Sequence, residues 1–202
     1  MALPHNRRYT PDEYLAQDRA SEFKHEYLDG EITMMAGAKP AHSLIAMNAG
    51  TSLNNRIGDR DCIVYGSDLR VSVRHAGLYA YPDLTVVCGP PLYDECGETL
   101  LNPTLIVEVL SPTTETYDRG EKFRRYQQLE SLQEYVLIDQ GRPVIEVFTR
   151  QPGGKWLYVA AIGLETLVTL ESVGCTLALA DVYRRVTFAE DAAQSDAAQD
   201  QH

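Results

Sequence analysis

The sequence predicts a mixed α/β domain, one sheet with helices packed against it. Three observations lead there. Apolar runs of strand length recur from residue 62 to residue 179. One amphipathic helical pattern, 41–57, precedes two acid-bearing runs, and a second, about 119–130, follows them. Turn signals rich in Gly, Pro and Asp separate most of the runs. At 202 residues the chain fits one domain and can bury a sizeable core.

In chain order, Thr10-Pro11-Asp12-Glu13 reads as a helix start, with Thr10 as N-cap, proline first in the helix and Glu13 closing a capping box. That helix ends before Phe23. Strands are expected at 23–28 and 31–36 around Asp29-Gly30, a strong hairpin signal. Over 41–57, Leu44, Ile45, Ala49, Ser52 and Leu53 stand near helical spacing. Strands at 62–65 and 69–73 flank Gly66-Ser67-Asp68, and His75-Ala76-Gly77 turns the chain into the run 81–87. A Gly/Pro-rich connection, 89–97, leads to the run 104–110, which Ser111-Pro112 breaks before the second helix. The run 135–138 is almost wholly apolar, as in a strand covered on both faces. Turns at Gly141-Arg142-Pro143 and Gln151-Pro152-Gly153-Gly154 set up antiparallel strands at 144–149 and 156–161. Short strands over 165–179 and a helical turn over 180–185 close the domain, taken as 1–188. Residues 189–202 hold only small and polar residues and are expected to form a disordered acidic tail.

Composition narrows the function. No run of about 18 apolar residues exists, and the first eight residues lack a signal-peptide core. Cys62, Cys88, Cys96 and Cys175 show no Cys-x-x-Cys spacing, which argues against zinc. Cys62, Cys88 and Cys175 are expected to be small reduced core residues, and the compartment to be cytoplasmic. A formal charge of −11 argues against broad attraction to phosphate backbones. Glu190, Asp191, Asp196 and Asp200 account for four of those charges, so the rest of the chain still carries −7.

Two acids stand out. Asp83 lies near the start of the run 81–87, and Glu108 sits between Ile106-Val107 and Val109-Leu110. A carboxylate inside a buried strand is costly unless it is paired or ligates a cation. Alternation places Glu108 on the face of Ile106 and Leu110. Mg²⁺ suits such a pair, since it takes one or two carboxylates and keeps several waters. Lys122 and Tyr126, four residues apart, share a helix face. With Asp118 as N-cap and Glu121 as third helical residue, Lys122 falls near a helix N-terminus, where the macrodipole opposes it.

The ordered set Pro82-Asp83, Asn102-Pro103-Thr104-Leu105-Ile106-Val107-Glu108-Val109-Leu110-Ser111-Pro112 and Tyr117-Asp118-Arg119-Gly120-Glu121-Lys122, with Tyr126, Glu134-Tyr135 and the upstream Glu26-Tyr27-Leu28-Asp29-Gly30-Glu31, resembles the Uma-two family. That family consists of restriction-endonuclease-like proteins within the PD-(D/E)XK nuclease superfamily. The likeness runs from about Pro11 to Asp181. It implies a restriction-endonuclease-like core, a mixed central sheet flanked by helices, with an added N-terminal hairpin and C-terminal antiparallel strands. The superfamily's usual lysine, two residues after the glutamate, is here Leu110. The resemblance implies that Lys122 has taken over.

On that likeness the chain is expected to be a Mg²⁺- or Mn²⁺-dependent endonuclease acting on DNA, with Asp83 and Glu108 as metal ligands and Lys122 offsetting charge on the phosphate. Glu26 is an accessory ligand or an exposed hairpin acid. His42 approaches the site or has a plain capping or surface role, and Tyr126 positions Lys122 or a phosphate by hydrogen bonding or packs in the core. A homodimer is expected, by analogy with nucleases that cut both strands. Two rivals stand beside this reading: a catalytically idle nuclease-like binding module, and a metal-dependent phosphohydrolase of small phosphate esters.

Overall fold

A computed structural model describes residues 7–188, so the expected tail lies outside the described residues. The central element is a six-stranded mixed sheet. Its strands are β3 (Cys62–Gly66), β6 (Leu84–Cys88), β8 (Leu105–Leu110), β9 (Glu134–Asp139), β10 (Val144–Arg150) and β11 (Trp156–Ile162). They lie in the order β11-β10-β9-β8-β6-β3. Only β8 and β9 run parallel; β6 pairs antiparallel with β8. Each face of this sheet is covered, which is why β8 and β9 carry near-continuous apolar sequence.

On one face lies helix α2 (Pro40–Ile57). Its Ile45, Ala49, Leu53 and Ile57 pack with Leu84, Val86, Leu105, Val107 and Val109. A β-carbon on Gly50 would meet Leu84 at 3.0 Å, so the helix comes very close to β6 there. The hairpin of β12 (Leu167–Leu170) and β13 (Cys175–Ala178), then α5 (Leu179–Val182), complete this face.

The other face meets a second sheet that the run pattern did not separate from the first. It comprises β1 (His25–Leu28), β2 (Glu31–Met34), β4 (Arg70–Val73), β5 (Leu78–Ala80) and β7 (Thr99–Leu100), in the order β2-β1-β5-β4-β7. The strands β5 and β7 are only three and two residues long, too short for a periodic signal. The β1–β2 turn forms at Asp29-Gly30 as expected, both with positive φ (47° and 93°). Helix α1 (Pro11–Ala20) begins with the expected capping box.

Two expectations fail. The second helix is neither a single α-helix nor confined to 119–130. It begins earlier, as α3 (Glu115–Tyr117), widens into a π-turn (Asp118–Lys122) and closes as α4 (Phe123–Tyr126). Asp118 is therefore not an N-cap; its φ and ψ are helical (−64°, −41°) and its side chain is buried. Nor are Cys62 and Cys88 reduced. They stand directly opposite on β3 and β6, close enough to be joined by a disulfide. Cys175 is free and buried, as expected.

A buried acid on β9 fixes the C-terminal hairpin. Glu134 accepts hydrogen bonds from Thr149 Oγ1 (3.1 Å), the Glu171 and Ser172 N–H groups (3.0 and 3.1 Å) and Ser172 Oγ (2.5 Å). It thereby satisfies the start of the 3₁₀ turn Glu171–Val173 between β12 and β13. Glu134→Ala should orphan those half-buried donors and cost about 2 kcal/mol, a fall in melting temperature of about 4–8 °C. An unchanged melt would mean that the apolar contacts of Val168, Leu170 and Leu177 hold the hairpin by themselves.

Candidate active site

Continuing the β6–β8 register by one step beyond Leu84↔Val107 sets Asp83 opposite Glu108. Asp83 itself stands one residue before β6 rather than inside it. One of its oxygens, Oδ2, accepts the Val109 N–H of β8 at 2.7 Å. The other, Oδ1, lies 2.8 Å from His42 Nε2, which the first turn of α2 delivers. The carboxylate is thus aimed from two sides.

Glu108 is 4 % exposed and shares the face of Ile106 and Leu110, as alternation predicts. Leu110 itself lies in that core, packed among the same residues as Tyr126 and Tyr135. The position where the superfamily carries its lysine is therefore filled by an apolar side chain. The ammonium comes instead from Lys122, 4 % exposed, whose Nζ lies 2.9 Å from Glu108 Oε1 and 2.9 Å from Glu26 Oε1. Asp118 Oδ1 is 3.6 Å away on the same segment, and the Tyr117 ring centroid is 5.8 Å away. The π-turn, with Gly120 inside it, carries both Asp118 and Lys122 as buried side chains. π-turns of this kind recur at functional sites because they re-aim side chains within a helix. Lys122 therefore belongs to a buried ion cluster and not to a helix N-terminus.

Two further residues shape the cluster. Tyr126, fully buried, places its hydroxyl 3.4 Å from Glu108 Oε1 and its ring 5.7 Å from Tyr135. The packing role and the contact with the acid are both real. Glu26 reaches in from β1, and its hairpin is held to the helical segment by the Arg125–Asp29 ion pair. Sequence reasoning missed Asp118 by reading it as a cap. The available signal was its place four residues before Lys122, the spacing at which helical ion pairs meet.

Charge in the cluster does not balance. Three carboxylates, Glu26, Glu108 and Asp118, contact one ammonium, and Asp83 stands opposite Glu108 across the β6–β8 register. Burial pushes Glu108 well above the usual carboxylate range; Lys122 opposes that, while Asp118, Asp83 and Glu26 add to it. Burial also raises Asp118, again against the pull of Lys122. For Lys122 burial works to lower the ammonium pKa, but Glu108, Glu26, Tyr126 and Asp118 outweigh it and hold the group firmly charged. Among the described residues no three His, Cys, Asp or Glu side chains converge as a ready-made metal cage. A hard divalent cation needs less than that, one or two carboxylates with the remaining positions left to water or phosphate oxygens. Asp83 and Glu108 are the two acids here that could form such a donor pair.

An acid inside one strand of a mixed sheet, a second just ahead of the adjoining strand, and a lysine from a flanking helical segment define a protein of the restriction-endonuclease-like class. A family model described as "Putative restriction endonuclease", Uma2, matches residues 11–180. The chain belongs to the Uma2 family. It is 36% identical over 184 residues to an uncharacterized protein of Synechocystis sp. (strain ATCC 27184 / PCC 6803 / Kazusa), covering 90% of this chain and 94% of that one. A second uncharacterized protein of the same organism is 34% identical over 155 residues, 76% of this chain and 88% of its own. A crystal structure titled as "a putative nuclease belonging to DUF820" from Anabaena variabilis ATCC 29413 has a similar fold. It superimposes with a TM-score of 0.72 at 21% identity, over 89% of this chain and 99% of that one. No helix among the described residues is long and apolar enough to cross a membrane.

Proposed function

We propose that the cluster is a phosphodiesterase site that cuts DNA with Mg²⁺ or Mn²⁺ bound at Asp83 and Glu108. The observation that carries this reading is the buried contact of Lys122 with Glu108 inside a cluster whose acids outnumber its cations. When bound, the cation would lower the pKa of a water and polarise the scissile phosphate. The remaining work falls to the chain. Val109 N–H and His42 hold the Asp83 carboxylate in one orientation. Tyr126 and Lys122 do the same for Glu108. As the phosphorus gains a fifth oxygen, negative charge grows on its equatorial oxygens, and the Lys122 ammonium offsets it in a water-poor setting. Glu26 and Asp118 keep that ammonium charged and in place. Membership of a family described as a restriction endonuclease supports the substrate class.

The test is a cleavage assay on plasmid, oligonucleotide and nucleotide substrates, titrated with Mg²⁺ and Mn²⁺, with Asp83→Ala as control. Metal-dependent nicking or cutting of plasmid, abolished in Asp83→Ala, is the expected result. Hydrolysis of nucleotides alone would make the protein a small-ester phosphohydrolase, and an acidic exterior would not hinder that. Inertness on all three substrates would leave a binding module. The pH dependence is fixed in sign. A carboxyl held above its ordinary range must lose its proton before it can ligate, so Mn²⁺ affinity should rise with pH through a window above the usual glutamate value. Conversely, the metal-free protein should lose stability across that same window, because its native state resists the ionisation that the unfolded chain accepts. Metal affinity independent of pH from about 5 to 8 would exclude Glu108 as a ligand.

A further inference from the structure

Twelve large hydrophobic side chains are exposed among the described residues, and half of them lie between the start of one strand and the first residue of the next. They are Leu157, Tyr158, Val159 and Ile162 of β11, with Leu164 and Leu167. β11 is the edge of the six-stranded sheet. From Trp156 to Leu164 no charged residue interrupts it, in a chain that carries −11 overall. Sheet edges of soluble proteins are normally kept short, charged or covered, because their open backbone groups invite another strand. This edge is seven residues long and has none of those protections.

The open groups can be assigned. The β10–β11 ladder is flanked by Gln151 N–H to Lys155 O and Gly163 N–H to Pro143 O. Odd-numbered residues of β11 therefore bond to β10, and alternation turns the N–H and C=O groups of Trp156, Tyr158, Ala160 and Ile162 outward. The Ile162 carbonyl is taken by Thr166 Oγ1. The ladder groups of Tyr158 and Ala160 have no backbone partner beyond β10 among the described residues.

We propose that β11 is a self-association edge. Two copies pair through it, antiparallel about a two-fold axis, joining two six-stranded sheets into one of twelve strands. Three features select a second copy as the occupant. The strip is uncharged, so placing it against itself brings no like charges together, whereas most of this acidic surface would repel its own copy. The six side chains expose on the order of 600 Å² per copy, so complete burial in a symmetric pair would reach roughly 1,200 Å², the lower bound of stable interfaces. The chain's own remaining segments are unsuited, since 189–202 contains no aromatic or branched aliphatic residue and 1–6 contains only Met1 and Leu3 as large apolar residues.

Sedimentation velocity on the full chain at about 50 µM is the test, a concentration at which an interface of that size is occupied. Wild type should sediment as a dimer, twice the 22.5 kDa chain mass. Ile162→Lys, at a side chain 68 % exposed, adds a charge at the edge without touching the core and should weaken the dimer ~100-fold or more. Ala160→Pro removes one outward N–H and leaves the β10 ladder whole, and should shift the same equilibrium. Met47→Lys, equally exposed on α2, should leave the dimer intact. A monomeric wild type overturns the proposal, and so does a dimer indifferent to both β11 substitutions.

Discussion

Lys122→Gln is expected to lose at least ~10²-fold in metal-dependent hydrolysis, the scale set by removing one transition-state donor. It is also expected to lose stability. Had Lys122 stood at an exposed helix N-terminus, glutamine would have been neutral or slightly better. In the buried cluster it leaves Glu26, Glu108 and Asp118 without their cation. Removing one partner from such a cluster costs about 3–5 kcal/mol, a fall in melting temperature on the order of 10 °C. The loss depends on pH. Glu108 already ionises late because it is buried, and without Lys122 it ionises later still. The deficit should therefore grow as pH rises through the window above the ordinary glutamate range, where Glu108 gives up its proton. Differential melts at pH 5 and pH 8 read the cluster; a cleavage assay well below the melting temperature reads the chemistry. Equal melts at both pH values would disconnect Lys122 from Glu108, and full cleavage activity would remove Lys122 from the mechanism.

The central sheet was legible because burial on both faces writes itself into sequence as near-continuous apolar runs such as 104–110 and 135–138. Within such a run a lone Glu108 is visible as an exception, and alternation names its face. The second sheet was only partly legible. Its β5 and β7 are held by partners far away in sequence, with too few residues to show a period. Asp83, His42 and Glu26 come from three separate elements, and no spacing rule connects His42 with an acid 41 residues later. Asp118 was hidden for a different reason. An aspartate ahead of Glu121 and Lys122 looks like a cap, and only the π-turn, a backbone irregularity without a local sequence rule, brings it into the interior. The Cys62–Cys88 bridge likewise depends on cross-strand register, which composition does not encode.

Glu108→Gln should separate the electrostatics of the cluster from its chemistry, because the two respond with opposite signs. Glutamine keeps the shape and can accept from Tyr126, and Lys122 still has Glu26 and Asp118 as counter-charges. Lys122 keeps two acidic partners. What disappears is one carboxylate whose ionisation the folded state resists, so at pH 8 and without metal the variant should be more stable than wild type. The gain should be on the order of 1 kcal/mol, about 2–4 °C. Below the ordinary carboxylate range the gain should vanish, since wild-type Glu108 is then neutral in both states. Saturating Mg²⁺ should reverse the ranking. A ligand at about 100 times its dissociation constant stabilises the native state by about 2.7 kcal/mol, and only the protein with both acids can take it up. Cleavage should fall by ~10²-fold or more in parallel, because the charge that would hold the metal is gone. A variant less stable than wild type at pH 8 without metal would show that Glu108 is a net anchor of Lys122 and not the surplus charge of the cluster. A variant still stabilised by Mg²⁺ would place the cation elsewhere.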